Sequence, residues 1–123
     1  MNILLALENF NKLKQYYNTV LNIDPNLVET SNDEPTPIEC VEEILDKLPL
    51  HVWSNIKLKW FDPCCGCGNF FIVVVKKLMY SLPINNEDER LKHILEKMLY
   101  FNDINEKRLS IVNTVFIANK YKL

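Results

Sequence analysis

Phe61-Asp62-Pro63-Cys64-Cys65-Gly66-Cys67-Gly68-Asn69-Phe70 is the stretch on which the fold of this 123-residue chain turns. The chain holds two glycines, and both fall here. Ordinary usage of roughly 7% would give about eight or nine. Wherever else the backbone bends it does so without glycine, so this loop has a special need for it. Glycine allows a tight turn and leaves no β-carbon between the backbone and a ligand. Residues 57–62 before the loop read as a short strand closed by Pro63, and residues 69–81 after it read as a helix. The β-branched run at 72–75 leaves that second element locally ambiguous with a strand. A glycine loop that opens a helix presents unpaired N–H groups and a positive dipole end, a setting that favours a carboxylate or phosphate.

The neighbouring segments extend this unit. Residues 2–22 place Ile3, Leu4, Leu7, Phe10, Leu13, Tyr17, Val20 and Leu21 at three- and four-residue spacing, the stripe of one amphipathic helix. Residues 29–37 are polar and proline-bearing and read as a loop. Thr36 is placed to cap a helix starting at Pro37, with Glu39 at capping-box spacing. That helix runs to about residue 48, with Ile38, Val41, Ile44, Leu45 and Leu48 on one face. Residues 83–88 read as a turn, 89–96 as a short helix and 98–102 as a second strand. Residues 106–120 read as a final helix. Two strands alternating with helices predict an α/β fold with a parallel sheet of the doubly wound kind.

Composition narrows the function classes. Apolar residues make up 48% of the chain and charged ones 24%, the makeup of an ordinary globular domain. A net charge of −2 argues against a broad basic surface for nucleic acid. The longest apolar run, residues 70–75, is far short of the roughly 20 residues that span a bilayer. No basic region followed by an apolar stretch and a small-residue cleavage site opens the chain, so no secretion signal is expected. Of Cys40, Cys64, Cys65 and Cys67, three crowd into the loop, and His51 and His93 stand alone. Zinc sites use spaced Cys or His pairs, so no metal is expected. A cytoplasmic or other reducing compartment fits best.

In a doubly wound sheet, ligands bind outside the carboxyl ends of the strands. Asp103, at the end of the second strand, is placed to accept hydrogen bonds from ribose hydroxyls. It lies farther from the glycines than the roughly 20 residues of the dinucleotide fingerprint. Asn69-Phe70-Phe71-Ile72 stands where the third glycine of that fingerprint would be, which disfavours a nicotinamide or flavin site. A Gly-Lys-Ser/Thr phosphate loop is absent. Simpler readings stay open: Thr36-Pro37, Asp103 and Asn69 as helix caps, and the cysteines as small residues tolerated in a tight loop.

Asp62-Pro63-Cys64-Cys65-Gly66-Cys67-Gly68-Asn69-Phe70 resembles the Asp-Pro-x-x-Gly-x-Gly-x-Phe motif of the S-adenosylmethionine (SAM) dependent adenine-N6 DNA methyltransferases of restriction–modification systems. Thr36-Pro37 resembles the motif that precedes that strand, and Phe101-Asn102-Asp103-Ile104-Asn105 the acidic motif that ends the next. The resemblance implies a partial Rossmann-like SAM-methyltransferase fold over residues 35–123, a short parallel sheet with helices, preceded by an N-terminal helix and loop over 1–34. It implies that Thr36 and Pro37 border the methionine carboxylate and that Asp62 faces the amino group. The backbone of Cys64, Gly66, Cys67 and Gly68 would wrap the methionine moiety, with Phe70 beside it. Asp103 would hold the ribose diol, and Ile104 would lie against the purine.

Catalysis in the resembled family depends on an Asn/Asp-Pro-Pro-Tyr/Phe tetrapeptide, and these 123 residues contain none. The strand that reaches the adenine amino group, and a target-recognition region, are expected beyond Leu123. The resemblance therefore implies a SAM-binding portion that is inactive alone. A protein partner would complete or cover the sheet, DNA would be met only through that partner, and no membrane is involved. The alternative is a non-catalytic methyltransferase-like remnant acting as a structural or interaction subunit. Fifteen asparagines suggest AT-rich coding, compatible with a large DNA virus and a place in its particle. A SAM-sensing regulatory module is a third expectation.

Overall fold

The structure is a computed structural model and describes residues 3–27 and 35–117. The expected polar loop at 29–37 is therefore described only from Pro35, and the last expected helix only to Ile117. The expected core roles of Ile3 and Leu4 lie outside the described side chains.

The chain is mostly helical around a two-stranded parallel sheet. Helices α1 (Ile3–Glu8) and α2 (Phe10–Thr19) lead into a 3₁₀ turn at Leu21–Ile23. The single amphipathic helix expected over 2–22 is thus two, broken at Asn9, whose φ of −112° and ψ of 59° are not helical. Asparagine is a poor interior helix residue because its side chain competes for nearby backbone groups. Leu7, Phe10, Leu13, Tyr17 and Leu21 are buried as the spacing predicts. Val20 is exposed, because the α-helix ends before it and the tighter turn shifts the phase of the stripe.

Helix α3 (Ile38–Asp46) buries Ile38, Val41 and Leu45, while the expected core residues Ile44 and Leu48 are exposed. Its N-terminus corrects the expected cap. Pro37 is the N-cap residue and no side chain of its own turn bonds back. Asn18 of α2 reaches across instead: its Oδ1 accepts from Ile38 N–H at 3.2 Å. Its Nδ2 donates to Glu39 at 2.9 and 3.1 Å, so the Glu39 carboxylate is engaged by α2 rather than by a capping box.

Strand β1 (Trp60–Asp62) follows, shorter than the six-residue span read from sequence. Helix α4 (Asn69–Ser81) settles the ambiguity of the β-branched run. Phe71, Ile72, Val73, Val74 and Val75 are all buried in it. The helix-propensity cost of such residues is a few tenths of a kcal/mol each. Burying each apolar side chain returns about 1.5–3 kcal/mol, so tertiary packing decides. Helix α5 (Glu87–His93) starts at Asn86, whose side chain accepts from Glu89 N–H, and continues as a π turn at Ile94–Met98.

Strand β2 (Leu99–Phe101) pairs parallel to β1 in the register Trp60–Leu99, Phe61–Tyr100 and Asp62–Phe101. Helix α6 (Glu106–Val112) is capped by Asn105 and passes into a π turn at Asn113–Ile117. One buried cluster runs from Leu7 through the valines of α4 to Phe116. It covers one face of the sheet; on the other, Phe61 is 67% exposed and its pair Tyr100 43%. No helix among the described residues is long and apolar enough to cross a membrane.

Candidate functional site

Both strands end at the glycine loop. The ladder continues past the sheet, Asn102 N–H donating to Asp62 O at 3.0 Å and Cys65 N–H to Asn102 O at 2.9 Å. These bonds fix the loop across the carboxyl ends of both strands. Gly66 and Gly68 take φ of 58° and 92°, the region that disfavours residues with a β-carbon. Gly68 is the N-cap of α4, and Gly68 N–H donates to Cys65 O at 2.9 Å. The loop is held from outside as well. The buried Tyr17 hydroxyl donates to Cys67 O at 2.8 Å, tying α2 to it.

Asp103 is the centre of the arrangement. It is buried, its Oδ2 accepts from Gly66 N–H at 3.0 Å, and its Oδ1 accepts from Asn105 N–H at 2.8 Å. Arg108 Nη1 lies 3.6 Å from the same Oδ1. Asp103 is not the cap of α6, the simpler role its position in the sequence offered; Asn105 performs that role by accepting from Lys107 and Arg108 N–H. Asn69, the other candidate cap, is buried and bridges instead: its Nδ2 donates to Asn22 Oδ1 at 3.0 Å and to Thr36 O at 2.8 Å.

These contacts enclose a cavity of about 240 Å³. Thr36, Asp62, Cys64, Gly66, Cys67, Phe70 and Asp103 all line it, seven of the residues singled out from sequence. Pro37, Gly68 and Ile104 are not on its walls. Pro37 is exposed at the start of α3, Gly68 packs on Phe116, and Ile104 is 96% exposed beside the buried Asp103.

Beyond the loop residues Cys65 and Asn69, and Pro35 next to Thr36, sequence reasoning missed Leu21, Asn22 and Leu27 before α3 and Arg108 on α6. The first three carry no local signal, since they reach the site only by tertiary packing. Arg108 carried a faint one: it sits in the first turn after the Asn105 cap, close in sequence to the acid it faces.

The electrostatics are those of a partly dehydrated, acid-bearing pocket. Burial raises the Asp62 pKa, the Asp103 carboxylate adds to the rise, and a hydrogen bond from Cys64 N–H opposes it. Burial, with the Asp103 carboxylate second, pushes the Cys65 thiol up to about 12 and the Cys67 thiol up to about 11. Those two sulfurs stay protonated and are poor nucleophiles at neutral pH. Among the described residues, no group of three or more His, Cys, Asp or Glu side chains could hold a metal ion. Asn69 and Phe70, in the opening turn of a 13-residue helix, line the cavity together with Asp62 and Asp103. Such a site can pair a ligand's anionic group with the helix end and its cationic or hydroxyl groups with carboxylates.

No protein-family profile matches the chain, and no solved structure does. The chain is similar to an uncharacterized adenine-specific methylase of Mycoplasma pneumoniae, with 43% identity over 75 residues. The match takes in 56% of this chain and 18% of that protein, so the chain spans less than a fifth of its relative's length. Part of this chain is therefore homologous to a part of an adenine-specific methylase.

Proposed function

We propose that this chain is the SAM-binding portion of an adenine-specific DNA methyltransferase, a partial Rossmann-like domain that binds the cofactor and transfers no methyl group by itself. The observation that carries the reading is the cavity in which the Asp62 carboxylate, the glycine loop, the opening turn of α4 and Asp103 converge. Homology to part of an adenine-specific methylase supports it. SAM would supply an electrophilic methyl group on a sulfonium centre; the residues present would hold and orient it.

The start of α4 suits the methionine carboxylate. Asp62 suits the ammonium, whose charge would repay the cost of keeping that carboxylate ionised. A carboxylate offers about four lone-pair sites. Asp103 uses two for Gly66 and Asn105 N–H, leaving capacity for ribose hydroxyls. A cavity of 240 Å³ lies a little below the roughly 300–1,000 Å³ of pockets that engulf a whole ligand. The methionine and ribose would sit inside, and the purine would extend over the bare side chain of Ile104.

Positioning of the acceptor nitrogen against the sulfonium dominates a transfer of this kind, and no Asn/Asp-Pro-Pro-Tyr/Phe is present to do it. Polypeptide outside these 123 residues would supply that element and complete the sheet. Parallel sheets are ordinarily covered on both faces, and a two-stranded sheet leaves both edges unpaired. Phe61 and Tyr100 form an uncovered patch on such a sheet.

Calorimetry with SAM tests the cofactor reading. Micromolar affinity is expected for the wild-type chain. Loss of a charge-assisted hydrogen bond worth about 1.5–3 kcal/mol corresponds to roughly a 10- to 150-fold loss for Asp103→Ala. Asp62→Asn should stay folded, since Asn can still accept from Cys64 N–H, and should bind SAM more weakly. Absence of binding at millimolar SAM would overturn the reading for this chain. Methyl transfer to DNA by these 123 residues alone would overturn the assignment of the acceptor site to polypeptide outside them.

A further inference from the structure

We infer that Arg108 is a positioning residue for the nucleoside half of the ligand, acting through Asp103 and Leu27 to set the width of the pocket; this rests on the SAM reading above. Arg108 makes contacts in two directions. Its Nε donates to the backbone carbonyl of Leu27 at 2.5 Å, and its Nη1 lies 3.6 Å from Asp103 Oδ1. Asp103 in turn holds Gly66 N–H at 3.0 Å. Leu27, Arg108, Asp103 and Gly66 all line the cavity. A single side chain thus links the segment before α3, through Asp103, to the glycine loop.

Its own aim is fixed from below. Asn105 Oδ1 accepts from Lys107 N–H at 2.9 Å and Arg108 N–H at 3.2 Å, which anchors the first turn of α6. The Asp103 side chain is 4% exposed and that of Arg108 13%, so both are held largely out of water. Only a planar guanidinium presents donors in a fixed fork; a lysine ammonium is a point charge and holds two divergent acceptors poorly. The spacing also has a use. At 3.6 Å the guanidinium offsets the buried charge of Asp103 without a close hydrogen bond, so the carboxylate keeps acceptor capacity for a ligand's hydroxyls.

The experiment compares wild type with Arg108→Met, which keeps an apolar stem, and Arg108→Lys, which keeps the charge. Amide hydrogen exchange without ligand reads the loop, and NMR titration reads binding of SAM, adenosine and methionine separately. In Arg108→Met the Gly66 amide should exchange about tenfold faster or more. SAM and adenosine should bind about tenfold more weakly, methionine should lose clearly less than adenosine, and Arg108→Lys should fall between. Asp103→Asn combined with Arg108→Met should be little worse than Asp103→Asn alone. Equal losses for adenosine and methionine would mark a merely structural role and overturn the inference, as would unchanged Gly66 exchange in a folded variant. Should Arg108→Met fail to fold, Arg108→Lys carries the same readouts. A wild-type chain that binds neither SAM nor adenosine sinks the SAM reading and the ligand half of this one. Gly66 exchange then decides separately whether Arg108 holds the loop.

Discussion

Replacing each loop glycine by alanine separates backbone strain from crowding. At Gly66 a β-carbon would meet nothing within 4 Å, while φ is 58°, inside the left-handed well. A residue with a β-carbon costs roughly 1–2 kcal/mol there. Loss of glycine's freedom in the unfolded chain offsets about 0.4–1 kcal/mol, so Gly66→Ala should destabilise by about 0–1.6 kcal/mol. At Gly68 φ is 92°, beyond that well, and the new β-carbon would stand 2.6 Å from Phe116 Cε2. Strain of about 1–3 kcal/mol then adds to overpacking of about 1–3 kcal/mol. The flexible end of a side chain could move aside, but Phe116 is fully buried with its ring edge-on to Phe71 at 6.3 Å. With the same offset of about 0.4–1 kcal/mol from the unfolded chain, Gly68→Ala should therefore cost about 1–6 kcal/mol, a large part of a small domain's stability. Urea denaturation followed by circular dichroism measures both. Gly68→Ala combined with Phe116→Leu should lose less than the sum of the single changes, because the smaller side chain clears the clash. A Gly68→Ala cost within about 0.5 kcal/mol of the Gly66→Ala cost would refute the claim that Phe116 sets the requirement, and strict additivity in the pair would do the same.

Two further outcomes follow from buried groups around the loop. Tyr17→Phe removes the donor to Cys67 O and leaves a buried carbonyl unpaired, which should cost about 1–3 kcal/mol in the same denaturation assay. The thiols predict an alkaline limit. Cys65 and Cys67 have folded pKa values raised to about 12 and about 11 from 9.0. The unfolded chain therefore loses these protons first, so stability is complete below about pH 9 and falls as pH rises toward 11–12. The slope is about 1.4 kcal/mol per pH unit for each thiol inside its window. Denaturation of wild type and a Cys65→Ala, Cys67→Ala variant from pH 8 to 11 should show a steeper loss for wild type; parallel curves would refute it.

The part of the fold legible in sequence is the part fixed by local chemistry. Glycine scarcity located the loop, Pro63 closed the strand before it, and the 69–81 helix follows residue for residue. Asp103 was found because strand ends in parallel sheets meet on one side of the sheet. What was not legible depends on residues distant in sequence. Asn18 serving the N-terminus of α3, Tyr17 holding Cys67 O and Arg108 holding Leu27 O join segments 20, 50 and 81 residues apart. Single-sequence periodicity contains no trace of such pairs. Val20, Ile44 and Leu48 were assigned to the core for a related reason. Spacing reports which side chains share a face, but not where a helix stops or whether another element covers that face.

On the proposed reading, Asp103 would answer to folding and binding at once. In sequence it had two competing roles, ribose acceptor or helix cap, as though one excluded the other. The structure gives the capping role to Asn105 and makes Asp103 an organiser of the glycine loop. A buried carboxylate is costly unless several donors serve it. Gly66 N–H, Asn105 N–H and the Arg108 guanidinium supply that service before any ligand arrives. Hydroxyls entering the pocket would then meet an acceptor already charged, desolvated and oriented, so little ordering cost remains to be met on binding. The same logic explains why removing Asp103 should weaken the loop as well as the affinity. Asp62 differs: its hydrogen bond from Cys64 N–H is local, its pKa is raised by burial, and Asn can replace it in the fold. On the proposed reading, the Asp62 charge would be held for the ligand, while that of Asp103 would be shared between ligand and loop.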